Sequence, residues 1–325
     1  MRAIRMHEFG PAGVLQYEEL DDPKPGPGQV RIAVAASGVH LVDTTIRSGA
    51  MADGPLANPR LPTIPGREVA GRVDAVGDDV DPDWLGARVV AHLGAESSGY
   101  AELAVVSEVS LHRLGRAVAD DAAVAMIGTG RTAVGVLDVA AITPDDVVLV
   151  TAAAGGLGTL FVQASRAAGA VVIGVAGGGS KVRVARELGA LAVDYSRSDW
   201  PAEVRAALDD RPITVALDGV GGDIGAQALD LVSPNGRLVL FGYSAGAPTE
   251  INFWRLYATG VRVAVALGPH TFAQGRMRGL EERALAAADS GMWRPLIQRF
   301  PLRDAAAAHT AIEARATTGK VVLIP

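Results

Sequence analysis

The sequence predicts an α/β protein in which a doubly wound parallel sheet is joined to a separate, β-rich domain. From about Asp120 onward, apolar strands of five or six residues alternate with Ala-rich helical segments of ten or more, the pattern of βαβ units on a parallel sheet. Before that point the chain reads as short strands broken by turns. Its 325 residues also exceed one module, since domains commonly hold ~100–200 residues.

Taken in order, Arg31 to Ala35 and Arg72 to Val76 alternate or run apolar, and the segment Pro23-Lys24-Pro25-Gly26-Pro27-Gly28 punctuates the region. The parallel-sheet strands are expected at Val147 to Thr151, Val171 to Val175, Leu191 to Asp194, Val215 to Asp218, Arg237 to Phe241 and Val261 to Ala266. Helices are expected between them at Gly158 to Ala168, Lys181 to Leu188, Pro201 to Leu208 and Gly222 to Leu231. Two more helices, Leu280 to Ser290 and Ala305 to Arg315, precede a closing strand, Lys320 to Ile324. These elements divide the chain into a β-rich domain, 1–122, a sheet domain, 123–266, and a segment, 267–325, that returns to the first domain.

Composition removes several classes. Hydrophobic residues make up 49% and charged residues 20%, with 39 Gly and 18 Pro scattered between apolar segments, which excludes collagen, coiled coil and disorder. A net charge of −6 disfavours nucleic acid and anionic membranes as partners. The absence of cysteine removes disulfides, thiolate nucleophiles and zinc sites with sulfur ligands, and fits a reducing cytoplasm. Charges in the first eight residues and the lack of a run of ~18 uncharged apolar residues argue against secretion and membrane spanning.

The segment Ala152-Ala153-Ala154-Gly155-Gly156-Leu157-Gly158 directly follows one expected strand and opens a helix. Glycines there let the backbone turn tightly and approach a pyrophosphate, while the free amides and the positive end of the helix dipole face its oxygens. This is a dinucleotide-binding arrangement. An NAD site usually carries an Asp or Glu about 20 residues further on to grip the ribose hydroxyls. From Val147 to Arg186 there is no acidic residue, and the next strand ends in Gly177-Gly178-Gly179-Ser180-Lys181. An uncharged loop followed by Lys181 suits the extra phosphate of NADPH. Arg183 and Arg186 read more readily as the solvated face of a helix.

Further segments extend the pattern through nearly the whole chain: Ser37-Gly38-Val39-His40-Leu41-Val42-Asp43-Thr44, Pro65-Gly66-Arg67-Glu68, Gly99-Tyr100-Ala101-Glu102, Phe241-Gly242 and Thr318-Gly319-Lys320. In this order they resemble the zinc-free, NADPH-dependent quinone oxidoreductases, relatives of zeta-crystallin, in the medium-chain dehydrogenase/reductase superfamily. The resemblance implies a GroES-like catalytic domain, a Rossmann domain and NADPH in a cleft between them. It also implies a homodimer made by joining the last strand of each Rossmann sheet.

By motif, it places Thr132 near the nicotinamide and Ala154, Gly155, Gly156, Leu157 and Gly158 at the pyrophosphate. Gly177, Lys181 and Tyr195 fall toward the adenosine phosphate, Tyr195 having a buried structural role as its alternative. Phe241, Gly242 and Ser244 run along the nicotinamide half, and Arg315 matches a basic position near the carboxyl terminus. Zinc relatives carry a His where Arg67 stands and a Cys upstream, so no metal is expected here, since guanidinium has no lone pair to donate. For Arg67 and Glu68 an ion pair bracing the cleft is the expected role.

The substrate loop departs from the family. Many members carry Asn and Tyr where this chain has His40 and Thr45, which changes both hydrogen bonding and shape. Arg131, before Thr132, is a second departure: its guanidinium could bind a substrate oxygen or point to solvent. The expected pocket is His40, Thr45, Arg131 and Tyr243 around the nicotinamide, with His40 the candidate for orienting or protonating the substrate and Asp43 for fixing its tautomer or bracing the loop. The function implied is hydride transfer from NADPH to quinones or other conjugated carbonyls. The alternative is a catalytically quiet NADPH-binding protein with a structural or sensing role.

Overall fold

The strand Val147–Thr151 is buried along its entire length, as befits a central parallel strand covered on both faces. In the computed structural model, which describes residues 1–50, 58–94, 97–268 and 270–325, it sits inside a six-stranded sheet. The spatial order is Leu191–Asp194, Val171–Ala176, Val147–Thr151, Ile213–Asp218, Val232–Leu240, Arg262–Val265, every neighbouring pair parallel. The helices Gly156–Ala167, Gly179–Glu187, Trp200–Ala207 and Gly222–Leu231 connect these strands. The first two stop at Gly169 and Gly189, both left-handed, because only glycine takes that conformation at no steric cost. Val147, Leu149, Ile173, Trp200, Val204 and Leu238 form the core of one face.

The chain forms two compact units, 1–129 with 295–325, and 130–294. The return to the first unit therefore comes at Pro295 and not at 267. The reason lies in the helix Gln274–Asp289, which packs on the helix Arg131–Ala140 of the sheet unit and is held there by Arg283 to Asp138 and Glu281 to Arg131.

In the first unit, the strands Ile297–Pro301, Lys320–Ile324, Gln29–Val39, Glu68–Val76, Arg88–His92 and Leu111–Arg113 run in that order, and Leu103–Ser107 also pairs with Gln29–Val39. Alternate burial along Gln29–Val39 directs Val30, Ile32 and Val34 into a core with Val69, Val73 and Val89. Two elements absent from the sequence expectation matter for the site. The helix Leu41–Arg47 follows His40, with Asp43 accepting from the His40 backbone N–H at 2.8 Å. A helical stretch from Asp120 to Ala140 is, by length and composition, apolar enough to cross a membrane, although Asp120, Asp121, Arg131 and Asp138 interrupt it so that no run of ~18 uncharged residues occurs. Two-thirds of its most apolar window is buried inside the protein, as in a core helix.

Candidate functional site

The carboxyl edge of the six-stranded sheet gathers most of the expected cofactor residues. Ala152 takes a left-handed conformation, Gly155 N–H closes the turn onto the Ala152 carbonyl at 2.9 Å, and the helix begins at Gly156. A Cβ on Gly158 would run into the Ala152 carbonyl oxygen, so glycine is required for this close approach. The first amides of the helix lack intrahelical partners, which makes the turn an anion-binding end.

Asp218, fully buried at the end of its strand, ties three neighbouring segments together. Its Oδ1 accepts from Thr151 Oγ1 at 2.8 Å and Val220 N–H at 2.9 Å, and its Oδ2 from Thr249 Oγ1 at 2.7 Å. Sequence reasoning missed this carboxylate; its only signal was an Asp at the end of an apolar strand. Phe241 is buried against Phe161, ring centroids 4.9 Å apart, so it offers the edge its backbone and not its ring. Ser244 N–H reaches the Gly219 carbonyl at 3.0 Å, and Tyr243 is 62% exposed.

At the other end of the edge, Tyr195 lies against Gly177, and Lys181 sits in the first turn of Gly179–Glu187. Asp194 accepts from Gly178 N–H at 2.9 Å and fixes the loop between them. Hydrogen bonds from Gly178 and Ser196 hold its carboxyl below the ordinary value. Arg131 does not point to solvent: its Nη1 lies 2.7 Å from Glu281, both side chains largely buried. That pair engages one amino group of the guanidinium the sequence offered to a substrate oxygen. Thr132 follows it in the same helix.

The first unit carries His40, Thr45 and Arg315. His40 Nε2 turns inward, 2.8 Å from Lys320 Nζ and 2.6 Å from Glu68 Oε1, the latter a close approach without the alignment of a hydrogen bond. Lys320 Nζ donates to Glu68 Oε2 at 2.9 Å. Glu68 is fully buried beside Gly128, where a Cβ would collide with its carboxylate. Burial by itself would raise the Glu68 pKa, but the charges of His40 and Lys320 hold it well below its usual range. Burial lowers that of Lys320 against the pull of Glu68.

One expectation is thereby corrected. Glu68 pairs with Lys320, 252 residues away, and not with Arg67, because adjacent residues of an extended chain point to opposite faces. Arg67 instead meets Asp43 at 3.3 Å. Asp43 holds the His40 backbone and the Tyr100 hydroxyl, 3.3 Å away, and so braces the loop. Tyr100 continues to His309 Nε2 at 3.1 Å.

The comparisons with known proteins agree with this architecture. Residues 26–116 match the alcohol dehydrogenase GroES-like domain model and residues 156–284 the zinc-binding dehydrogenase model. The chain is 33% identical to the quinone oxidoreductase of Pseudomonas aeruginosa, covering 100% of this chain and 99% of that one. The chain belongs to the quinone oxidoreductase branch of the medium-chain dehydrogenase/reductase superfamily. Within that superfamily it is also 31% identical to a 2-haloacrylate reductase of a Burkholderia species, over 99% of this chain and 98% of the relative. The crystal structure of Escherichia coli quinone oxidoreductase complexed with NADPH superimposes with a TM-score of 0.87 at 29% identity, covering all of both chains.

The name of the second family model raises the question of zinc, and the residues present do not fit it. There is no cysteine, and no group of three or more His, Asp or Glu among the described residues could hold a metal ion. The Lys320 ammonium already lies against both His40 and Glu68, and its charge would repel a cation there.

Proposed function

We propose that this member of the superfamily is an NADPH-dependent oxidoreductase that delivers hydride to quinones or other conjugated carbonyl compounds without zinc. The observation that carries the reading is the glycine turn at Ala154–Gly158 on the carboxyl edge of a parallel sheet, in a chain that matches quinone oxidoreductases over its full length. Bound NADPH supplies hydride from C4 of its nicotinamide.

The protein's part is to bind and orient. The amides of Ala154, Gly155, Gly156, Leu157 and Gly158 hold the pyrophosphate; Gly177, Lys181 and Tyr195 take the phosphorylated adenosine end, where Lys181 provides the charge. Thr132, the backbone of Phe241 and Gly242, and Ser244 line the nicotinamide half, with Arg315 as a further basic contact. His40, Thr45 and Tyr243 shape the substrate pocket, and Arg131, held by Glu281, steadies the helix turn that carries Thr132. His40 orients the substrate oxygen, and the proton that completes the reduction comes from His40 or from water.

NADPH oxidation with a benzoquinone, phenanthrenequinone and small enones tests the proposal. Acceptor-dependent oxidation is expected; tight NADPH binding with no acceptor consumed would make the protein a quiet sensing or structural binder instead.

A homodimer belongs to the same proposal, as does a cytoplasmic setting, to which a cysteine-free chain is suited. The strand Arg262–Val265 ends the sheet, and an uncovered edge invites pairing with another chain. The preceding helix Phe253–Thr259 exposes Phe253, Trp254 and Tyr257, at 66%, 72% and 77%, packed into one aromatic patch that a second copy would bury. Light scattering should give twice the chain mass, and Trp254→Lys should halve it; a monomeric wild type at micromolar concentration would overturn this part.

A further inference from the structure

At the carboxyl edge of the six-stranded sheet two loops lie side by side, 219–222 after the strand Ile213–Asp218 and 241–249 after the strand Val232–Leu240. Backbone hydrogen bonds join them: Ser244 N–H to the Gly219 carbonyl at 3.0 Å, Ala245 N–H to that of Val220 at 2.7 Å, and Gly222 N–H to that of Ala247 at 2.9 Å. The approach is so close that a Cβ on Gly221 would strike the Ala247 carbonyl oxygen and one on Gly219 the Phe241 ring. Asp218 fastens both loops. Besides Thr151, its carboxylate accepts from the backbone N–H of Val220 at 2.9 Å and of Gly221 at 3.2 Å in the first loop, and from Thr249 Oγ1 at 2.7 Å in the second.

Asp218 and Thr249 are both buried. The helix Gly222–Leu231 closes on them, since a Cβ on Gly225 would collide with Thr249 Oγ1 and Asp218 Oδ2. A carboxylate sealed in this way meets no ligand, so any effect it has on one passes through the loops.

The order of the strands says which part of a dinucleotide those loops face. The glycine turn assigned to the pyrophosphate follows the third strand of the order, and Gly177 and Lys181, assigned to the adenosine end, follow the second. A dinucleotide laid along this edge has its other half over the fourth and fifth strands, which end at the two loops.

We propose that Asp218 is a positioning residue for the nicotinamide half of NADPH: it does not touch the cofactor, but holds the two loops as one wall in the conformation that binds it. A wall that is in place for only a fraction of the time lowers the apparent affinity by that fraction. The direction in which the cofactor lies rests on the assignment of its adenosine and pyrophosphate ends made above; the fastening of the loops does not.

The test compares Thr249→Val, which keeps the shape of the side chain and loses the hydroxyl, with Thr249→Ser, which loses a methyl group and keeps the hydroxyl. Calorimetric titration of the full chain measures Kd for NADPH and for adenosine 2′,5′-bisphosphate, which carries the adenosine end alone. Thr249→Val should raise the Kd for NADPH about tenfold, because a buried carboxylate oxygen loses its donor and the second loop its anchor. It should leave the bisphosphate Kd at the wild-type value. Thr249→Ser should bind both ligands as the wild type does. In an Asp218→Ala background the change of Thr249 to Val should cost no further affinity, since the two side chains act as one fastening; if Asp218→Ala does not fold, the Val and Ser pair decides alone. An unchanged NADPH Kd in Thr249→Val, or one raised equally in Thr249→Val and Thr249→Ser, overturns the proposal. A Kd raised equally for both ligands also overturns it, because Asp218 would then act on the sheet as a whole. A wild type that binds NADPH and not the bisphosphate overturns the assignment of the adenosine end, while the Val and Ser comparison with NADPH still decides the role of Asp218.

Discussion

In the second unit the candidate site is an edge of glycines, backbone amides and hydroxyls arranged around one buried carboxylate, Asp218. The first unit instead sinks charged side chains into its interior: Glu68 with Lys320 and Asp43 with Arg67, while the buried Arg47 reaches an exposed partner, Glu313. An edge built from backbone keeps its shape when side chains around it change. The members of a buried ion pair chiefly decide stability and conformation, because removing one leaves the other charged and unsolvated. Variants of the buried pairs of the first unit should therefore act on stability, and variants of the second unit's edge on cofactor or substrate.

The largest effect is expected for Lys320→Met. It leaves the carboxylate of Glu68 buried without its ammonium, which should cost ~3–5 kcal/mol in urea denaturation. Adding Glu68→Leu should recover most of that, while NADPH affinity stays constant throughout. A loss of NADPH affinity in the folded single variant would break the division between the units.

His309 comes next. Burial, the main cause, lowers its pKa from 6.5 to about 4, so below pH 6.5 the unfolded chain takes up a proton that the folded one refuses. Its contribution is whole above pH 6.5 and falls by ~3 kcal/mol as pH drops to about 4. Glu68, whose depressed pKa works the same way from the carboxylate range downward, adds its loss at lower pH. Denaturation curves between pH 7 and 4.5 should show a steeper decline for the wild type than for His309→Gln, and identical slopes would remove His309 from the account.

In the second unit, Lys181→Ala should erase most of the preference for NADPH over NADH, a charge-assisted contact of ~1.5–3 kcal/mol or roughly 10- to 100-fold. Stability should stay within ~0.5 kcal/mol of the wild type. Equal affinity of the wild type for both cofactors would contradict the role given to Lys181. The smallest effect is expected for Tyr243→Ala: about tenfold in kcat/KM, near 1.4 kcal/mol, with NADPH affinity and stability unmoved. A kcat/KM that stays constant for every accepted substrate would take Tyr243 out of the pocket.

Much of the second unit was legible in the chain alone. Its strands and helices fall within a few residues of the expected positions, as Val147–Thr151 and Gly222–Leu231 do without any shift. The reason is that the apolar period and the punctuation by Gly169 and Gly189 are local properties of the chain. The glycine turn was legible for the same reason, since its strand, loop and helix are consecutive. Less of the first unit was legible. The helix Leu41–Arg47 is short and polar on one side, and the helix Gln274–Asp289 declared itself as an element without declaring which unit it would join.

The sequence by itself determined the α/β class, the family, and the absence of any thiolate, because these depend on residue types and on spacings along the chain. Only the tertiary structure decided which charges neutralise one another. Glu68 had Arg67 next to it and took Lys320 from the last strand; Arg131 was open to a substrate oxygen and took Glu281, 150 residues on; Asp43 stood near the His40 ring and took its backbone instead. Ion pairing depends on distance in space, on burial and on the face each side chain is given by its strand or helix, and none of these is a local property of the chain.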